Sequence, residues 1–166
     1  MTDNITSKMS NLQLQKSLDA FLVPGMMNLN VLDAFDVIGN LCHEMRESEI
    51  LCRRLVTRLS FLRERALQLE HAKKIPAFAD VLGHAIAFLK KYTPKKLLQR
   101  IALNRNILQG VRTLHREIDD LFKVTELTSA AEMSMWNQHW EDDIASQIAL
   151  LDQLTASPQF SLRVSE

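Results

Sequence analysis

Residues Thr93 to Leu127 read TPKKLLQRIALNRNILQGVRTLHREIDDLFKVTEL. Ile101, Ile107, Leu108, Val111, Leu114, Ile118, Leu121 and Phe122 recur at steps of three and four, the period of an amphipathic helix. The spacing predicts one helix over this whole stretch. Thr93 is placed to cap it and Pro94 to occupy its first position, where a missing N–H costs nothing. A stripe of this length has to be buried against other helices.

The sequence on either side supplies such helices. Upstream, Leu29–Met45 is predicted helical with Val31, Phe35, Ile38, Cys42 and Met45 on one face. Ser48–Glu70 follows with Leu51, Leu55, Leu59, Leu62, Ala66 and Leu69 inward. No Gly, Pro or Asn separates the two, and the stripe runs through Cys52 in phase. A reversal at Ser48 is expected because a compact bundle requires one. His71–Ile75 is a basic connector. Pro76 opens a third helix with Phe78, Val81, Leu82, Ala85, Phe88 and Leu89 inward. The link to the Thr93 helix is short enough to make the two antiparallel neighbours. Gly39, Gly83 and Gly110 each fall inside a predicted helix, at about 1 kcal/mol against Ala. Each is expected to mark a close helix–helix approach.

Downstream, Ser129 and Glu132 have capping-box spacing and set the start of a fifth helix. Met133, Trp136, Trp140, Ile144, Ile148, Leu151 and Leu154 are its apolar side. Trp136 and Trp140, one turn apart, are expected to fasten it to the other helices. Phe160, Leu162 and Val164 then alternate like a fragment of strand, which is not stable alone. The fold class is all-α. Residues 1–28 form a flexible leader and 29–127 a four-helix bundle. The fifth helix occupies 128–154, and 155–166 are a tail or the start of a linker to a further domain.

Composition narrows the function. With 166 residues and 46% hydrophobic content the chain can bury a sizeable core. Its net charge is zero, which gives no overall attraction for nucleic acid. The charge is unevenly spread: ten bases face one acid between His71 and Arg116, and nine acids face one base between Glu117 and Asp152. That asymmetry points to internal pairing or a polar partner surface. Cys42 and Cys52 lack metal spacing and read as free thiols in a reducing, cytoplasmic setting. The sequence has no apolar run of membrane-span length and no signal-peptide pattern.

Signs of catalysis are missing. The four glycines are isolated, so no phosphate loop is formed. His43-Glu44-Met45-Arg46-Glu47 lacks the second histidine of a zinc-protease helix. His139, Asp142 and Asp143 have helical ligand spacing, but one helix does not make a metal site, and His115-Arg116-Glu117 reads as a surface run. No cofactor and no metal are expected. Lys90, Lys91, Lys95 and Lys96, with Arg100 a turn on, converge on a hairpin tip without a nearby acid. Anionic lipid headgroups suit such a tip at about 1 kcal/mol per basic residue. Nucleic acid does not, since Tyr92 is the only aromatic among them. Thr93-Pro94 is also a candidate proline-directed phosphorylation site.

Val31–Leu55, above all Cys42-His43-Glu44-Met45 and Cys52-Arg53-Arg54-Leu55, resembles the N-terminal bundle of the mixed-lineage-kinase-domain-like pseudokinases. Fungal HeLo domains and the front ends of other tyrosine-kinase-like kinases and of some plant immune receptors carry related bundles. Phe78–Phe122 and Ser129–Leu154 look like that family's later helices and its brace, so the resemblance covers Leu29 to Leu154. It implies an up-down four-helix bundle regulated by a C-terminal brace helix. Trp136, Trp140, Ile144, Ile148 and Leu151 would make the brace contact. It further implies recruitment to the inner face of the plasma membrane, oligomerisation, and in some members permeabilisation and cell death, switched by a kinase-type domain. Arg53 and Arg54 match a basic stretch of the family. Glu47 and Glu49 stand where the family is basic, which moves the expected lipid contact to the lysine tip. The function expected is a non-catalytic signalling module that binds a protein partner, itself, or an anionic phospholipid surface. An adaptor bundle without a membrane role, serving as the regulatory part of a kinase, is the alternative.

Overall fold

Six α-helices account for nearly all of the described residues of the computed structural model, which are 23, 25, 29–67, 75–125 and 129–156. They are α1 (Val31–Glu44), α2 (Glu49–Leu67), α3 (Ile75–Tyr92), α4 (Leu97–Ala102), α5 (Asn104–Thr125) and α6 (Ala130–Thr155), with one 3-10 turn at Arg46–Ser48. Among the described residues there is no strand. The leader other than Val23 and Gly25, Leu69, the basic connector His71–Lys74 and the alternating Phe160–Val164 segment lie outside the described residues.

The ends of the helices follow their caps. The Asn30 side chain accepts the Asp33 N–H at 2.9 Å, which starts α1. Ser129 and Glu132 form the expected reciprocal box: the Ser129 Oγ accepts the Glu132 N–H at 3.2 Å, and Glu132 accepts the Ser129 N–H at 3.0 Å. The chain turns back between α1 and α2. Met45 leaves the helical region (φ −96°, ψ 62°), and the Cys42 and Cys52 thiols meet. In one continuous helix, residues ten apart would lie about 15 Å from each other along the axis.

Two expectations about the quoted stretch are corrected. Thr93 does not start the helix: its N–H bonds to the Leu89 carbonyl at 2.9 Å and so closes α3. Pro94 falls in the turn, and the next helix begins at Leu97. That helix is also not continuous. At Leu103 (φ −95°, ψ 13°) the N–H lies between the carbonyls of Gln99 (3.0 Å) and Arg100 (3.1 Å), so the first turn and a half tightens into a 3-10 end. Leu103 then offers its carbonyl to Ile107 and α5 begins. Ile101, Ile107 and Leu108 are buried on both sides of the joint, so the apolar period passes through it unbroken.

The main core is apolar. Val31, Ala34 and Ile38 of α1, Leu55, Leu59 and Leu62 of α2, Phe78, Leu82, Ile86 and Leu89 of α3, and Leu114, Ile118 and Phe122 of α5 pack as one cluster, which Val23 joins from the leader. Phe35 and Phe78, each early in its helix, lie 6.2 Å apart, which brings the first halves of α1 and α3 together. Arg54 bonds to Asp143 near the start of α2, and Arg65 to Glu132 near its end, so α2 and α6 run in opposite directions. Gly110 marks a close approach as expected: a Cβ there would strike the Phe88 ring. Gly39 does not, since it is exposed and a Cβ there would meet open space.

Candidate functional site

The lysine turn is built from the end of α3 and the start of α4. Lys90, Lys91 and Lys96 are exposed and Lys95 is half-buried. Lys91 lies over the Tyr92 ring at 5.5 Å. The turn holds its shape because Lys95 donates its N–H to the Tyr92 carbonyl and the Lys96 N–H reaches Gln99 Oε1, at 3.0 and 3.1 Å. Thr93 is half-buried at its centre, with lysines on both sides but no helix N-terminus of its own.

Arg100 does not face outward with the lysines. Only 9% of it is exposed. Its guanidinium donates to both carboxylate oxygens of Glu47, at 2.5 and 3.0 Å, a bidentate pair. It also donates to the carbonyls of Lys95 (2.7 Å) and Thr93 (3.4 Å). Arg100 is therefore a clasp that ties the lysine turn to the α1–α2 turn, and Glu47 neutralises it. The bases on the outer side of the turn are lysines, with Lys90, Lys91 and Lys96 exposed. The same α1–α2 turn also receives α6: Gln147 Nε2 donates to the Glu47 carbonyl at 2.6 Å.

The second assembly is the seam beneath α6. Arg54, Arg58, Phe61 and Arg65 form one stripe of α2, at steps of four, three and four. Arg58 is 1% exposed and pairs with Asp119 of α5. Its Nη1 also donates to His115 Nδ1 at 3.0 Å and to the His115 carbonyl at 3.2 Å. Because a guanidinium only donates, His115 carries its hydrogen on Nε2. Burial first, then the charges of Arg58 and Arg54, push the His115 pKa down to about 3, so the ring is neutral at physiological pH. Burial also lowers the Arg58 pKa, against the pull of Asp119.

α6 closes over this group. Trp140 stacks on His115 with centroids 5.1 Å apart and planes 12° from parallel. Trp136 lies 5.6 Å from the Arg58 guanidinium, 6.0 Å from that of Arg54 and 5.7 Å from Phe61. Arg54 Nε donates to Asp143 at 2.6 Å. Acids in the Glu117–Asp152 segment do find basic partners within the chain, but those at the seam (Asp119, Glu132, Asp143) pair with arginines of α2 rather than with the His71–Arg116 bases.

Of the residues expected in the brace contact, Trp140, Ile144 and Leu151 are buried and Trp136 is half-buried. Ile148 is not in it; it is 39% exposed, as Leu154 is also exposed. The buried stripe goes 140, 144, 147, 151, so Gln147 takes the inward place because Glu47 offers it a carbonyl. Arg53 points to solvent and pairs with Glu49 at 2.5 Å, a surface bridge. Arg54 is held in the seam. The structure therefore does not join Arg53, Arg54 and Arg100 to the lysines in one basic surface. His115, read as part of a surface run, is buried.

Sequence reasoning missed Arg58, His115, Asp119 and Glu47. For the first three a signal existed: each is a polar residue on the inward stripe of its helix, Arg58 between Leu55 and Leu62, His115 and Asp119 between Val111 and Phe122. Comparisons with protein families, with curated proteins and with solved structures found no match to this chain. Among the described residues no helix is long and apolar enough to cross a membrane.

Proposed function

We propose that this chain is a non-catalytic signalling module of the HeLo-like kind, an up-down four-helix bundle braced by α6. It acts at anionic membranes through Lys90, Lys91, Lys95 and Lys96. The observation that carries the reading is the lysine turn itself: its buried base, Arg100, is neutralised by Glu47, while Lys90, Lys91 and Lys96 around it are exposed and Lys95 is half-buried. A surface of that kind favours lipid phosphates without needing a pocket, and its attraction falls with salt. The brace reading rests on the seam, where α6 is held by ion pairs and stacked rings as well as by apolar contact. Release of α6 by a partner or an attached kinase-type domain would uncover Arg54, Arg58 and Phe61. Phosphorylation of Thr93 would place about −1.5 to −2 charges among the lysines and weaken the membrane contact.

Co-sedimentation with vesicles tests this. Wild type is expected to bind vesicles containing phosphatidylserine and not neutral ones, with binding lost as salt is raised. The chain with Lys90→Glu, Lys91→Glu, Lys95→Glu and Lys96→Glu together should stay in the supernatant at every salt concentration. A folded wild type that ignores anionic vesicles would overturn the membrane reading and favour the adaptor.

A further inference from the structure

We propose that Cys42 and Cys52 form a reversible redox site, with Cys42 as the thiol attacked first by a hydroperoxide and Cys52 as the thiol that resolves it into a disulfide. Both thiols line a surface groove of about 290 Å³ between α1 and α2, together with Gly39, His43, Glu49, Arg53, Val56 and Thr57. They are within hydrogen-bonding reach of each other across the Met45–Ser48 turn. Both are free cysteines, Cys42 half-buried and Cys52 buried. A partly accessible thiol with a buried second thiol within reach of it is the arrangement that peroxide sensing needs.

The groove is open at the right place. Gly39, one turn before Cys42 on α1, is exposed and lines the same groove. Cys42 is the more accessible of the two thiols and Cys52 the buried one, so the order of reaction follows from access. The hydrogen bond between them acts in the same sense: it favours the Cys42 thiolate, and the same bond, then burial, hold Cys52 in its protonated form. A metal role has less to stand on: among the described residues no three His, Cys, Asp or Glu side chains are grouped as ligands.

The chemistry balances with one hydroperoxide. The Cys42 thiolate attacks the distal peroxide oxygen, the O–O bond breaks, and the alkoxide or hydroxide leaves with the electron pair and takes a proton. Cys42 is then a sulfenic acid. The Cys52 sulfur attacks it, the S–O bond breaks, and the departing hydroxide takes the Cys52 proton and leaves as water. Two electrons pass from the two sulfurs to the peroxide. The disulfide joins α1 to α2 above the turn whose Glu47 seats both Arg100 and Gln147. A reductant such as a dithiol reverses it.

The test uses the whole chain in native buffer with hydrogen peroxide, followed by thiol alkylation and intact mass. The expected product has lost two hydrogen atoms, takes up no alkylating agent, and regains both thiols with dithiothreitol. Cys52→Ser should instead stop at a Cys42 sulfenic acid that reacts with dimedone, and Cys42→Ser should react at least about tenfold more slowly than wild type. Two thiols still alkylated after peroxide, a product carrying added oxygen in the wild type, or only intermolecular dimers would overturn the proposal. Equal reaction of the two single variants would overturn the assignment of Cys42 as the first thiol. The wild-type mass change depends on no variant's folding.

Discussion

The core shared by α1, α3 and α5 and the seam beneath α6 are held by different kinds of contact. In the first, Val31, Ile38, Leu82, Ile86 and Ile118 are buried and carry no hydrogen-bonding side-chain group. Their attraction is non-directional and survives modest repacking. In the second, Arg58 binds Asp119 and His115, His115 carries Trp140, and Trp136 lies against two guanidinium groups. Each contact there has a direction, and removing one member strands another. The core makes the fold stable; the seam makes the position of α6 specific. Buried pairs often contribute little net stability, yet they penalise every wrong partner.

Four substitutions or conditions separate these roles. Phe122→Ala removes a 1%-exposed ring from the core and is expected to cost about 3–5 kcal/mol in urea unfolding, lowering the midpoint for the whole chain. Arg58→Met leaves Asp119 buried without its charge partner and should cost about 3 kcal/mol. Adding Asp119→Leu to it should return most of that loss, and a double mutant no better than the single would show that the pair is not a closed unit.

The third break is by pH. The unfolded chain protonates His115 near 6.5, the folded chain only near 3. The stability tied to this ring is complete above pH 6.5 and falls as pH drops toward 3, by up to about 1.4 kcal/mol per pH unit. Urea midpoints at pH 7 and pH 5 should converge in His115→Phe relative to wild type; an unchanged slope would remove His115 as the source. The smallest effect contrasts two glycines. Gly39→Ala, in open space, should stabilise by about 0.5–1 kcal/mol, and Gly110→Ala, against Phe88, should destabilise by about 1 kcal/mol, both read by thermal unfolding.

The apolar core was legible because burial leaves a period in the sequence. The stripes of α1, α2, α3 and α5 were read from it, and the Ser129–Glu132 box set the start of α6. What failed shares one cause: the deciding partner is distant in sequence. Arg100 looks like a fifth outward base until Glu47, 53 residues earlier, is brought beside it. Gln147 displaces Ile148 from the inward face for a carbonyl 100 residues away. The joint at Leu103 has neither Gly nor Pro, and the period runs across it. In the seam the polar residues sat at inward positions of two helices, a pairing visible only when both stripes are compared at once.

Both tryptophans of the chain sit on α6, one flat against an uncharged imidazole and one beside two guanidinium groups. The ultraviolet emission of the molecule therefore comes almost wholly from one helix and from rings shielded by its docking. Undocking would wet both indoles together and shift that emission to the red, with the rest of the molecule dark. The protein carries its own optical gauge of whether the last helix is seated, and no added dye is needed to follow it in real time on a vesicle, in acid or under peroxide.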